Sequence, residues 1–587
     1  MAKYFYRASA ADFMKIPGAP VAYWAVPEIF SSFVNFQTLG EVASPRKGLA
    51  TCNDELWLRA WQEVSVKKTS FFEDKRLQTE PTWYPISKGG QWRKWYGNNQ
   101  LLVNWKDNGR ALKQFITDRY SGGSYTKEIR SEKFYFRDCV TWSDISGNSF
   151  FGARRAAEKS IISTKGCGIY SDSLDLDYIS GFLNSKPAQL FLELTSPTVS
   201  TNPGEIASLP IAMSRQHMMA VQAYSKTCRE IGRIDWDSFE TSWDFTFPPI
   251  ISLNDSASSL RNAYQIVRGK WPNKVRQMRC CEEENNQIFI EAYSLQDELN
   301  PDVPLEEITL TCNPHYRYGG NLREEALESL LQCDTVRELV SYAIGCMMGR
   351  YSVDKPGLIL ASQGETLQDY LRQIPSSSFA PDDDAILPLT DQEWFPDDAT
   401  NRVREFVRVV WGDGQLQENL DFVAESLCLH AIKPNRGESA LDTIRRYLST
   451  QFYKDHLRTY KKRPIYWLFS SGKHKAFECL VYLHRYNEGT LARMRTEYVI
   501  PLSAKLNAYG EKLEQDKDAS TSAAETKRLE KEITTLYKQQ TELAEFDEKL
   551  RHYADQRISL DLDDGVKVNY GRFGDLLAEV KAVTGQK

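Results

Sequence analysis

No run in this chain approaches the ~18 consecutive apolar residues that a membrane-crossing helix needs. The opening residues, "MAKYFYRASA", lack the apolar segment of a secretory leader, so a cytoplasmic chain with no membrane partner is expected. Histidine is scarce, at 7 of 587 residues, and no H-E-x-x-H or comparable ligand spacing occurs, so no metal site is expected. The 11 cysteines include no C-x-x-C; an odd count without a leader reads as buried, reduced thiols. Cys428 and His430 are the nearest thing to a ligand pair, but on a helix they point to different faces. Also missing are a G-x-x-x-x-G-K-[ST] phosphate loop and a G-x-S-x-G nucleophile elbow. The Gly-Cys-Gly turn of "KGCGIY" (165–170) is too common a feature to mark a cofactor, and Asp175 and Asp177 read as the capped start of a helix. The chain's own motifs therefore supply no catalytic residue and no cofactor.

What is present is an ordinary globular composition, 41% hydrophobic and 26% charged, in a chain too long for one core. The expected fold class is α+β, in three segments. Residues 1–245 form a mixed α/β domain, 246–398 a mainly helical spacer with an acidic connector, and 399–587 a helical region. "NQLLVNW" (99–105), "EKFYFRDCVTW" (132–142) and "KSIISTKGCGIY" (159–170) read as strands between turn residues. "GRALKQFITDRY" (109–120) and "LDYISGFLNSKPAQLFLELT" (176–195) read as helices. "DDDAILPLTDQEWFPDD" (382–398), with seven acids and no base, reads as a connector. At the far end, apolar residues from Leu491 to Leu513 and from Leu529 to Tyr553 recur at spacings of three or four. They predict an antiparallel helical hairpin over about 490–556, with "DKDASTSAAET" as its loop and a kink or break at Pro501.

The net charge of −6 hides a segregation of sign. From Trp83 to Arg155 there are 13 Lys or Arg against 6 Asp or Glu. Within this basic stretch, "KGGQWRKWYGNNQ" (88–100) alternates cations with aromatics between turn-forming ends. A β-hairpin using Trp and Tyr for their fit to a pleated surface is one reading. The other is a nucleic-acid surface, in which cations hold phosphates and Arg, Asn and Gln read base edges. On that reading the DNA-binding candidates are Lys88, Gln91, Arg93, Lys94, Asn98 and Asn99, then Arg154, Arg155 and Asn202. Arg93 is the candidate for guanine, since its fork matches O6 and N7, while Lys88 and Lys94 suit phosphates. Trp92, Trp95 and Tyr96 are either stacking groups or core. "HLRTYKKRPIYWLFSSGKHK" (456–475) is a second basic segment, readable as a buried element with solvated flanks or as a phosphate-contacting surface. The alternating charges from Lys527 to Lys549 read as a solvated helical face.

Several blocks carry a resemblance. "DFMKIPGAPVAYW" (12–24), "GLATCNDELWLRAWQEV" (48–64), "KGGQWRKWYGNNQLLVNWKDNG" (88–109) and "YFRDCVTWSDIS" (135–146) resemble the region after the catalytic domain of the PglX family. These are the adenine-specific DNA methyltransferases of the BREX phage-defence system. "YISGFLNSKPAQLFLELTSPTVSTNPGEIASLPI" (178–211) is similar to the end of a target-recognition domain. "KKRPIYWLFSSGKHKAFECLVYLHRY" (461–486) and "EFDEKLRHYADQRISLDLDDGVKVNYGRFGDLLAEVKAV" (545–583) are similar to the family's C-terminal end. Such enzymes carry an Asn-Pro-Pro-Tyr or Asp-Pro-Pro-Tyr motif and a Gly-rich turn for S-adenosylmethionine, and neither occurs in these 587 residues. Where the family has a Thr-Gly-Asp/Asn pattern, this chain reads Thr51-Cys52-Asn53-Asp54. The resemblance implies the C-terminal half of such a methyltransferase, a target-recognition domain with a helical tail. It implies double-stranded DNA and the N-terminal methyltransferase half as partners, with S-adenosylmethionine bound by that missing half. The competing reading is a scaffold that docks other BREX proteins or a phage inhibitor.

Overall fold

The computed structural model describes residues 9–71, 80–145, 150–196, 200–251 and 258–586. The class is α+β: short strands in small sheets among many helices. Two compact units interleave along the chain. The first takes residues 1–61, 67–238 and 268–323, and the second takes 62–66, 239–267 and 324–587. The stretch 246–398, expected as a spacer, is thus divided between them.

The first unit holds two four-stranded sheets. In one, Gly166–Tyr170 lies between Ser44–Arg46 and Val140–Ser143, and Ala153–Arg155 completes the antiparallel set. In the other, Leu101–Asn104 pairs with Leu58–Ala60 and Trp83–Ser87, whose far edge takes Ile161–Ile162 in parallel. The strand Leu101–Asn104 buries Leu102 and Val103. Trp142, Ile169, Phe182 and Phe191 anchor one core, and Trp105, Leu112, Ile116 and Ile161 a second.

Two expected helices are realised with shifted ends. Lys106–Arg119 begins in a left-handed turn, Asp107 to Gly109 having φ of 51°, 54° and 69°, before the regular helix sets in. The 176–195 stretch makes two helices, Leu176–Leu183 and Lys186–Thr195, because Ser185 accepts the Ala188 N–H and Pro187 sits in the new first turn.

In the second unit, Glu478–Tyr482 lies between Ile386–Pro388 and Tyr466–Ser470, and all five of its residues are buried. The 382–398 connector is therefore corrected to a core element. Ile386, Leu387 and Leu389 are packed inside, and Asp398 caps the helix Ala399–Trp411. Carboxylates at its ends line an open cleft of about 610 Å³ that includes Asp382, Asp384, Asp397 and Tyr498. Burial, and Asp384 alongside, push Asp382 up to about 7. Residues 62–66 thread into the same unit, with Glu63 accepting the Val566 N–H at 2.9 Å and the Val64 carbonyl meeting His484 at 3.1 Å.

The hairpin forms from Ile500–Ala519 and Ala523–Asp555, joined by only three residues, so the expected loop of eleven is mostly helix. Just before Pro501 the run is interrupted by a π-turn over Met494–Val499, which leaves the proline in the first turn of the next segment, Ile500–Ala519. No cysteine forms a disulfide; Cys280 is exposed, and Cys139, Cys167 and Cys479 are among the buried thiols. Among the described residues no helix is long and apolar enough to cross a membrane, and no cluster is placed to hold a metal ion.

Candidate nucleic-acid interface

The Lys88–Gln100 segment is an irregular loop between the strands Trp83–Ser87 and Leu101–Asn104, with a β-bridge between Trp95 and Arg154. Its backbone is sharply bent. Gly89, Gly90 and Gly97 have φ of 79°, 143° and 123°, and Trp95 and Asn98 also take positive φ. A Cβ on Gly97 would lie 2.6 Å from Arg93 Cδ and 2.9 Å from the Trp236 ring, so glycine is required both for φ and for space.

The loop turns its central cations inward. Arg93 is only 5% exposed, its guanidinium 5.0 Å from the Trp236 ring and 6.0 Å from the Tyr316 ring. It donates to Asp235 at 3.3 Å and to the Thr311 hydroxyl. Asp235, at the end of the helix Arg215–Trp236, also accepts the backbone N–H groups of Thr311 and Cys312 at 2.7 and 2.9 Å. Lys94 forms a buried ion pair with Glu282, which also accepts the Trp95 indole N–H at 2.7 Å. Burial holds the Glu282 carboxyl above its ordinary range despite the Lys94 charge. Arg154 is 2% exposed; burial and the nearby Arg93 guanidinium push it down to about 10. Asn99 is buried too.

The expectation that Arg93 forks onto guanine and that Lys94 takes a phosphate does not fit this placement. Both charges are consumed inside the fold, as are the positions of Arg154 and Asn99. Of the aromatics, Trp95 is interior, 2% exposed, while Trp92 and Tyr96 are half-buried; Trp92 packs on Phe150 and donates to the Phe151 carbonyl at 3.1 Å.

Other candidates stay near the surface. Gln91 is exposed, and its carbonyl accepts from the Asn98 amide at 2.8 Å. Lys88 is paired with Asp54. Asp54 also accepts from Thr51 within the Thr51–Asp54 turn, where Cys52 adopts φ 58° in place of a glycine. Arg155 reaches Asp138 and Asp177 at 3.7 and 3.6 Å. Asn202 caps the helix Pro203–Ala207 and accepts from Lys47 at 2.7 Å. Lys47 and Lys165 flank the buried Asp144, at 3.8 and 3.1 Å. A Cβ on Gly89 would lie 2.9 Å from the Lys165 carbonyl, so the glycine turn presses on this same spot.

Arg46, which precedes Lys47 in sequence, belongs to a cluster that the alternating pattern did not single out. Arg46, Lys133 and Arg137 are exposed and lie 5.2, 5.3 and 5.5 Å from the single Phe134 ring. Asp172 pairs with Arg137. The charged heads gather at cation–π distance from the ring while the residues stay exposed, an arrangement suited to phosphate. The signal in the sequence was "EKFYFR" (132–137), three consecutive aromatics flanked by Lys133 and Arg137.

Over 579 residues the chain is 43% identical to the adenine-specific methyltransferase BrxX of Escherichia coli O9:H4 (strain HS), covering 98% of this chain and 46% of that protein. It is a homologue of part of that methyltransferase. Over 591 residues it is 37% identical to the adenine-specific methyltransferase PglX of Lacticaseibacillus casei (strain Zhang), covering 97% of this chain and 45% of the relative. The chain spans about half the length of the curated relatives it matches. No family model matches it.

Proposed function

We propose that the first unit reads double-stranded DNA for an adenine-specific methyltransferase of a BREX phage-defence system. S-adenosylmethionine and the methyl transfer would belong to a methyltransferase part whose motifs this chain lacks. The single observation that carries the reading is the exposed group of Arg46, Lys133 and Arg137 around Phe134, with Lys47 following Arg46 in sequence. The cations there would grip phosphates, and Gln91 and Asn202 are the amides left near the surface for base edges. The buried Arg93 and Lys94 serve by fixing the loop that carries Gln91. The similarity to BrxX and PglX supports the class of enzyme.

The test is duplex binding by the full chain and by Arg46→Ala/Arg137→Ala. Affinity should fall at least tenfold, and the slope of log K against log[salt] should shrink by about 2, roughly 0.9 per phosphate contact. Unchanged affinity in the variant would remove this face. Retention of a protein partner from the same defence system, with no duplex binding, would favour the scaffold reading.

A further inference from the structure

We infer that residues Lys454 to Arg463 of the second unit hold a duplex phosphate backbone, a contact separate from the face described above. The inference rests on the chain being a DNA-binding protein. The helix Tyr453–Thr459 turns its apolar residues inward: Tyr453, Leu457 and the following Tyr460 are buried. Lys454 and Arg458, four residues apart, share its exposed side, and Lys461 and Lys462 continue the exposed run just beyond. Arg463 is half-buried, 3.7 Å from Glu63. Asp455 is the acid nearest to Arg458, at 2.6 Å, and it is already engaged by Arg337.

The backbone gives this basic run its meaning. The helix ends with the Lys462 N–H donating to the Leu457 carbonyl at 2.7 Å and the Lys461 N–H to the Arg458 carbonyl at 3.2 Å. Lys461 and Lys462 both take left-handed backbone, with φ of 49° and 61°. Helices end this way with glycine, because a Cβ is disfavoured there. Two consecutive lysines occupy the conformation instead, followed by buried Pro464, which fixes the chain's exit into the strand Tyr466–Ser470. A glycine would ease the turn and serve packing as well, so what the lysines add is charge at a fixed place. Strained backbone held rigidly at a surface is characteristic of ligand-contacting sites. Lys454, Arg458, Lys461 and Lys462 follow one another along one surface segment, as phosphates follow one another along a duplex strand.

The strain makes the test selective. Lys461→Gly/Lys462→Gly removes both charges and relieves the turn, so the thermal midpoint should hold or rise. Duplex affinity of the full chain should nevertheless fall by tenfold or more at about 0.1 M salt, and the salt slope should shrink by about 2. Lys461→Asn/Lys462→Asn, which also tolerates left-handed backbone, should behave alike and covers any misfolding of the glycine variant. A folded variant with unchanged affinity and slope overturns the inference. Poly-glutamate competing as well as duplex at equal charge would also overturn it, by marking a site for acidic protein. Should Arg46→Ala/Arg137→Ala lose binding while both lysine variants keep it, only this inference fails. Should the parent chain bind no duplex at low salt, both readings fail together.

Discussion

Lys94→Ala removes one half of an ion pair in which both side chains are almost wholly buried, 7% and 4% exposed. The Glu282 carboxylate would keep only the Trp95 indole as a donor. Leaving such a charge uncompensated costs about 3–5 kcal/mol. For a folding unit of this size that corresponds to a fall of roughly 10 °C in Tm. The loss should depend on pH. Burial already holds Glu282 above the usual carboxylate range, and losing Lys94 raises it further. A folded pKa above the unfolded one means the native state takes up a proton as pH falls, so stability is regained on acidification. The Tm deficit should therefore be largest near pH 8 and shrink toward pH 5. Lys94→Met/Glu282→Gln, which keeps an acceptor for Trp95 and removes both charges, should recover most of it. Calorimetry on the three proteins at pH 8 and pH 5.5 decides. A deficit under about 1 kcal/mol, or one indifferent to pH, would refute the buried-pair argument. So would a fully stable Lys94→Ala protein that has lost duplex binding, since Lys94 would then be a DNA contact.

Arg93→Lys should destabilise by about 2 kcal/mol, measured by denaturant unfolding, because a point ammonium cannot fill the slot between Trp236 and Tyr316. Gly97→Ala meets both a positive φ and atoms at 2.6 and 2.9 Å; a loss of about 2–4 kcal/mol is expected in the same assay. Asp382, pushed up to about 7, gives the native state an extra proton between about pH 4 and pH 7. Stability should rise as pH falls from 8 to 5, and Asp382→Asn, which keeps the acceptor for the Ala385 N–H, should flatten that rise and stabilise the protein at pH 8.

Much of the architecture was legible because it rests on periodicity. The paired helices of Leu502, Leu506 and Leu513 against Leu529, Ile533 and Leu536 follow from spacing alone, as does the strand at Leu101–Asn104. The connector at 382–398 was misread because its acids mask a three-residue strand, Ile386–Pro388, too short to show a period. The two interleaved units were not visible, since residues 62–66 join the second through hydrogen bonds that no local pattern announces. At the candidate site, composition located the basic region but not its exposed part. Alternating Lys, Arg and Trp reads the same whether the cations face phosphate or Asp235 and Glu282; those acids lie about 140 and 190 residues away in sequence. Arg46 was overlooked for the converse reason, since it comes to Phe134 from a strand distant in sequence, whereas Arg137 is that ring's near neighbour in the chain.

The most direct test of the central claim sets the exposed cations against the buried ones in one experiment. Duplex affinity is measured by fluorescence anisotropy between about 50 and 200 mM salt for the parent chain, Arg46→Ala/Arg137→Ala and Lys94→Met/Glu282→Gln. The parent should lose on the order of 10³ in affinity over that range if it makes six or more phosphate contacts. The exposed pair's variant should bind more weakly with a slope smaller by about 2, and the neutralised buried pair should match the parent. The reverse order, with the buried pair controlling affinity and the exposed arginines silent, would contradict the account.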